Sequence, residues 1–120
     1  MGNENQTCDV RDFIFLFNVA EDLGSKSKKK KLLKKAISYG YYNAALLLDE
    51  FYGELNQTAW RIVALKEYRK LSEAFNLPKL DKRFVTITKS RSEKLDQHEL
   101  EASVKEAEKE LGLIFGGNSQ

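Results

Sequence analysis

The sequence is poor in the residues on which most catalytic and metal sites depend. Its 120 residues include one cysteine, one histidine and one proline. A structural zinc site needs about four Cys or His ligands, and a lone cysteine forms no internal disulfide. No glycine-rich phosphate loop and no nucleophile elbow are present. We therefore expect a protein that is not an enzyme and has neither a metal nor a cofactor.

Long hydrophobic runs are also missing. The apolar stretch FIFLFNVA covers only residues 13–20, whereas a membrane-spanning helix needs about 20 apolar residues. The first twelve residues carry acids where a secretory signal would carry basic residues. These absences predict no membrane span and an intracellular location, either cytoplasmic or nuclear.

What the sequence does contain is helical periodicity. Hydrophobic residues make up 42% of the chain, and they recur at steps of three and four within residues 9–23, 27–55, 59–75 and 96–111, as on one face of a helix. The pattern predicts a mainly α, single-domain bundle of four to five helices over residues 9–115. Residues 1–8 and 116–120 are polar or glycine-rich, and we expect them to be flexible ends.

Two local features leave the helix boundaries open. Gly40 interrupts the second segment, where it is either tolerated at a close packing point or divides the segment into a helical hairpin. The β-branched residues 84–88 favour one short strand or an extended connector. Such a strand would pair with residues 113–115 or with the same strand of a second chain.

Charge is distributed unevenly, although the net charge is only +2. The stretch KSKKKKLLKK, residues 26–35, contains many lysines and no acid, and a second basic cluster lies between residues 79 and 94. Lysines at the start of a helix oppose its dipole, whose positive N-terminal end prefers acids, and they also repel one another. A bound phosphate would relieve both effects, because it would pair with several lysines and accept from free backbone N–H groups.

These clusters predict a small non-catalytic nucleic-acid-binding protein that holds the phosphates of DNA or RNA. One competing interpretation is a solvated lysine face, or one neutralised by the acidic segments 1–23 and 95–120. Another is a localisation or membrane-surface role for the lysines. The predicted phosphate-contacting residues are Lys28, Lys29, Lys30, Lys31, Lys34, Lys35, Lys82, Arg83, Lys89 and Arg91.

An alternative function is a protein–protein interaction module, such as a small regulator or inhibitor that docks on a larger complex. Its support is the first predicted helix, which is apolar on nearly all sides and would need a core or a partner to cover it. Blocks of opposite charge would also steer a protein partner. This alternative leaves a homodimer or larger homo-oligomer open, and its predicted partner-binding residues are Phe13, Phe15, Leu16 and Trp60.

Overall fold

The protein is a bundle of helices throughout the part that the structure describes. A computed structural model describes residues 24–114, with side chains for residues 24–112. Within this range there are five α-helices, one 3₁₀ turn and no strand, so the predicted mainly α bundle is confirmed. The predicted helix 9–23 and the predicted flexible ends lie outside the described residues. The elements are α1 (Lys26–Ser38), α2 (Ala44–Leu47), the 3₁₀ turn (Leu48–Phe51), α3 (Glu54–Phe75), α4 (Lys82–Glu93) and α5 (Gln97–Ile114).

The long helix α3 is the central element of the bundle. It packs most extensively against α5 and also contacts α1, α2, the 3₁₀ turn and α4. Burying the apolar faces of these helices against α3 removes them from water, and for α1 and α5 these are the faces that the periodicity predicts. The core residues with the lowest exposure include Leu33, Ile37, Ala45, Leu48, Val63 and Ala64, and the buried stripe of α5 is Leu100, Val104, Ala107 and Leu111.

Side-chain caps define the beginnings of three helices. Ser25 accepts from the backbone N–H of Lys28 at 3.2 Å and starts α1. Asp81 caps α4, and Asp96 caps α5 by accepting from the N–H of Glu99 at 3.0 Å. Such caps satisfy N–H groups that lack a partner within the helix.

Two predicted helix boundaries differ from the structure. The helix predicted to start at residue 59 begins earlier, at Glu54 after Gly53. The last helix, predicted to end at residue 111, continues through Gly112 to Ile114. Of the two alternatives for Gly40, the structure has the one in which the segment 27–55 is divided.

Gly40 allows the chain to turn between α1 and α2. Its φ is +98°, a conformation that residues with a Cβ rarely adopt. A Cβ at this position would also lie 3.2 Å from Cδ1 of Leu71 on α3. The backbone therefore reverses close to the central helix because this residue has no side chain.

We predict that Gly40→Ala lowers the free energy of unfolding by about 1–2 kcal/mol, since alanine would be strained at this φ. Gly112→Ala is the matched control, because Gly112 is helical and an added Cβ would meet no atom within 4 Å. Urea denaturation followed by circular dichroism measures both. A loss in Gly112→Ala equal to that in Gly40→Ala would contradict the conformational explanation.

The strand predicted for residues 84–88 is wrong, because these residues lie inside α4. Phe84 and Thr88 are four residues apart and both buried, so the segment presents one helical face to the bundle. The side chain of Asp81 accepts from the N–H of Arg83 at 2.8 Å and starts the helix. The hydroxyl of Tyr42 in turn accepts from the N–H of Asp81 at 3.0 Å. Capping and burial together override the weak β preference of these residues.

Candidate functional site

Three of the exposed lysines of α1 lie along one face of the helix. Lys28, Lys31 and Lys35 are exposed and follow one another at steps of three and four, so they form a stripe. The core residues Leu33 and Ile37 occupy another face of the same helix. We refer to Lys28, Lys31 and Lys35 as the lysine stripe. From Lys28 to Lys35 the lysine stripe extends about 10 Å along the helix axis, at about 1.5 Å per residue.

Within residues 24–112, no acid forms an ion pair with the lysine stripe. The first turn of α1 contains no acidic residue, so the positive end of the helix dipole adds to the field of the lysines. None of the ion pairs formed between residues 24 and 112 involves a member of the stripe. The stripe is therefore a local excess of positive charge on the described surface.

Lys34 differs from the other lysines of α1 because its side chain is buried. Its ammonium forms an ion pair with Glu110 on α5, and it lies 5.4 Å from the ring centroid of Tyr52 and 5.1 Å from that of Trp60. Burial by itself lowers the pKa of Lys34, but the hydrogen bond to Glu110 and the interactions with Tyr52 outweigh it, so the net pKa is raised. In this arrangement Lys34 joins α1 to α5 and is not presented on the surface for a phosphate.

Two further predicted lysines are less exposed than the stripe. Lys29 and Lys30 are half-buried. The ammonium of Lys30 lies 5.6 Å from the ring centroid of Tyr52, within cation–π range. The predicted run of equivalent lysines is therefore divided by the fold into an exposed stripe and residues that pack against the bundle.

The predicted cations of α4 also separate into two groups. Lys82 and Lys89 are exposed and seven residues apart, so they share a face of the helix, and Arg83 is exposed beside them. Arg91 is half-buried and lines a cleft together with Lys94. The structure thus directs Arg91 away from Lys82 and Lys89.

This cleft lies between the end of α4 and the beginning of α3 and has a volume of about 240 Å³. Its floor includes Thr58, which is fully buried and whose hydroxyl has no hydrogen-bond partner within the described chain. Gln57 donates from its amide to the carbonyls of Asp49 and Tyr52, at 2.9 and 2.6 Å, which holds the preceding loop against α3. The residues that line the cleft are Glu54, Gln57, Thr58, Arg91, Lys94 and Leu95.

A third cation lies close to this cleft. Arg61 is buried on α3, with its guanidinium 5.1 Å from the ring centroid of Phe84 and its Nη2 3.6 Å from Oδ2 of Asp49. Burial lowers the pKa of Arg61, and repulsion from Arg91 lowers it further, while Asp49 acts in the opposite direction. The Nε of Arg61 has no partner among the described residues. Positive charge therefore accumulates where α3 and α4 meet.

Cations from α1 and from the end of α4 lie near the same short segment, residues 52–58. Lys30 and Lys34 lie near Tyr52, and Arg91 and Lys94 line the cleft beside Glu54 and Thr58. Gln57, which precedes Thr58 in the chain, donates to the Tyr52 carbonyl. Residues 52–58 therefore lie near cations of both α1 and α4.

Only one of the four predicted partner-binding residues, Trp60, lies within the described residues. Trp60 is only 3% exposed and packs in the core, so it does not form part of the monomer surface. Phe13, Phe15 and Leu16 lie outside the described residues.

The sequence-based prediction did not include three residues that line the cleft, Lys94, Gln57 and Thr58. Helical spacing from Arg91 would have indicated Lys94, but no sequence pattern places α3 beside α4.

No helix between residues 24 and 114 is long and apolar enough to cross a membrane. In the same part of the chain, no group of three or more His, Cys, Asp or Glu side chains is arranged to hold a metal ion. No protein-family model matches the chain, and neither a curated protein nor a solved structure shows significant similarity to it.

Proposed function

We propose that the protein binds nucleic acid through phosphate contacts made by the lysine stripe of α1, without catalysing a reaction. The observation that carries this proposal is the exposure of Lys28, Lys31 and Lys35 on one face of α1, whose first turn lacks acids. A polyanion placed along this face would meet the three lysines, and beside Lys28 it would also meet the positive end of the helix dipole. Lys82, Arg83 and Lys89 on α4 supply a second exposed group of cations.

The arrangement favours contact with the backbone over reading of bases. Lysines hold phosphates as point charges and carry no sequence information in such contacts. The described surface of α1 presents no aromatic side chain between the three lysines of the stripe. We therefore propose binding of DNA or RNA with little sequence preference.

The test is fluorescence anisotropy of a labelled DNA duplex and a labelled single-stranded RNA, titrated with protein at several salt concentrations. We expect affinity to fall with salt, and the variant Lys28→Gln, Lys31→Gln, Lys35→Gln to bind at least tenfold more weakly at low salt. If all three lysines contact duplex phosphates, the slope of log affinity against log salt should decrease by about 2.7, at about 0.9 per contact.

The matched control removes the same charge elsewhere. Lys70, Lys105 and Lys109 are exposed residues of α3 and α5, and their triple substitution by Gln should retain most of the affinity. Equal losses in the two triple variants would show that only net charge matters, which contradicts a specific surface. The absence of binding by the unaltered protein at low salt would also refute the proposal.

A protein-interaction role is the second candidate, and one described feature favours it. Leu46 and Leu47 are adjacent on α2 and are 43% and 46% exposed. Neighbouring exposed leucines are a typical element of a protein contact surface. This role, either as a homo-oligomer or on a larger complex, becomes the better proposal if no nucleic acid binds.

A further inference from the structure

The cleft between α3 and α4 combines features that the lysine stripe lacks. Two cations, Arg91 and Lys94, line a concave site of about 240 Å³ beside the side chains of Gln57 and Thr58. A concave site encloses its ligand more completely than an exposed helix face, and convergent polar groups fix the orientation of that ligand. Its charge and shape therefore point to a small anionic group.

The buried hydroxyl of Thr58 is the second and independent indication of a ligand. Thr58 is 0% exposed, lines the cleft, and has no hydrogen-bond partner for its hydroxyl among the described residues. A buried polar group without a partner is unfavourable, and most such groups in proteins are satisfied. A ligand oxygen in the cleft would supply the missing acceptor.

The charges around the cleft favour a phosphate group over a neutral ligand. Arg91 provides a planar guanidinium that pairs with two phosphate oxygens, and Lys94 adds a second positive charge. Arg61 lies close enough to Arg91 for the two cations to repel each other, and an anion would reduce that repulsion. Glu54 is the one acidic residue lining the cleft, and it opposes an anion.

We propose that this cleft is a phosphate-binding site formed by Arg91, Lys94 and Thr58. The phosphate is either a free or small-molecule phosphate or the terminal phosphate of a nucleic acid. Arg91 and Lys94 pair with its oxygens, and the Thr58 hydroxyl donates to one of them. The site shares no residue with the lysine stripe, so this proposal and the proposed function can each fail alone.

The first experiment is a titration of the full chain with inorganic phosphate, followed by ¹H–¹⁵N NMR at constant ionic strength. We expect saturable shifts of the amide signals of residues 54–58 and 91–95. Arg91→Gln should weaken binding roughly tenfold or more, because it removes a charged hydrogen bond. Lys94→Gln and Thr58→Val should each weaken it several-fold.

Three further variants test whether phosphate binding depends on the residues that line the cleft. Arg69→Gln removes an exposed arginine of α3 that does not line the cleft and should leave phosphate binding unchanged. Thr88→Val removes another buried hydroxyl that lacks a described partner but does not line the cleft, and it should also have no effect. Glu54→Gln should tighten binding, because it removes the only acidic group of the lining.

The source of the phosphate is distinguished by a second titration with a short oligonucleotide, with and without a 5′-terminal phosphate. Shifts at residues 54–58 and 91–95 that require the terminal phosphate assign the site to a nucleic-acid end. Shifts from inorganic phosphate alone assign it to a small phosphate compound. No saturable shift with any of these probes, or equal weakening by Arg69→Gln and Arg91→Gln, would overturn the proposal.

Discussion

Replacing Trp60 by alanine is expected to lower the free energy of unfolding by about 3–5 kcal/mol, the largest effect that we predict. Trp60 is 3% exposed and belongs to the main hydrophobic core. The substitution leaves a cavity in the central helix α3 and removes the aromatic face that lies 5.1 Å from the ammonium of Lys34. Urea denaturation followed by circular dichroism is the appropriate measurement, because the variant has no tryptophan fluorescence.

The control for this prediction is an exposed apolar residue. Leu46 is 43% exposed, so Leu46→Ala should change the free energy of unfolding by no more than about 0.5 kcal/mol. If Trp60→Ala instead cost as little as Leu46→Ala, Trp60 would not be a core residue. The sequence-based assignment of Trp60 to a partner surface would then be preferred over the packing described above.

The second large effect concerns the ion pair between Lys34 and Glu110, whose side chains are 5% and 45% exposed. Glu110→Gln should lower the free energy of unfolding by about 2 kcal/mol, because it leaves the buried ammonium of Lys34 without its carboxylate. This is less than the loss for a fully buried pair, since water reaches Glu110. Lys34→Met should cost less, because the released carboxylate of Glu110 can be hydrated.

The same pair predicts a pH dependence with a defined sign. The pKa of Lys34 is raised above its ordinary value of 10.5 in the folded protein. Its stabilising contribution is therefore fully present below pH 10.5 and is lost as the pH rises through the higher folded pKa. Denaturation curves collected between neutral pH and pH 11 should show a steeper loss for the unaltered protein than for Lys34→Met.

A suitable control for the ion pair is Glu106→Gln, an exposed position on the same helix, which should have little effect. An equal loss in Lys34→Met and Glu110→Gln would contradict the asymmetry of burial on which the prediction rests. A pH dependence that is unchanged in Lys34→Met would show that other groups titrate in that range instead.

Much of the helical architecture could be predicted from local sequence. Leu33, Ile37 and Leu48 belong to the predicted helical segment 27–55 and are buried, and Asp96, the first residue of the predicted segment 96–111, caps the last helix. These features depend on spacing and on side chains within a few residues, so the sequence contains them directly. The prediction of a strand at residues 84–88 was wrong, because a β-branched composition is only a weak local signal. The faint helical spacing of Phe84 and Thr88 became decisive only when the bundle buried both.

The candidate sites show the same division between local and tertiary information. The sequence alone determined that α1 begins with lysines and without acids, which is the basis of the proposed function. Only the tertiary structure decided which lysines remain exposed, because the packing of α1 against α5 buries Lys34 beside Glu110. The cleft is likewise tertiary, since Thr58 and Arg91 are far apart in sequence and meet where α4 packs on α3. Helical periodicity is set by neighbours along the chain, whereas burial and charge pairing depend on which element packs opposite.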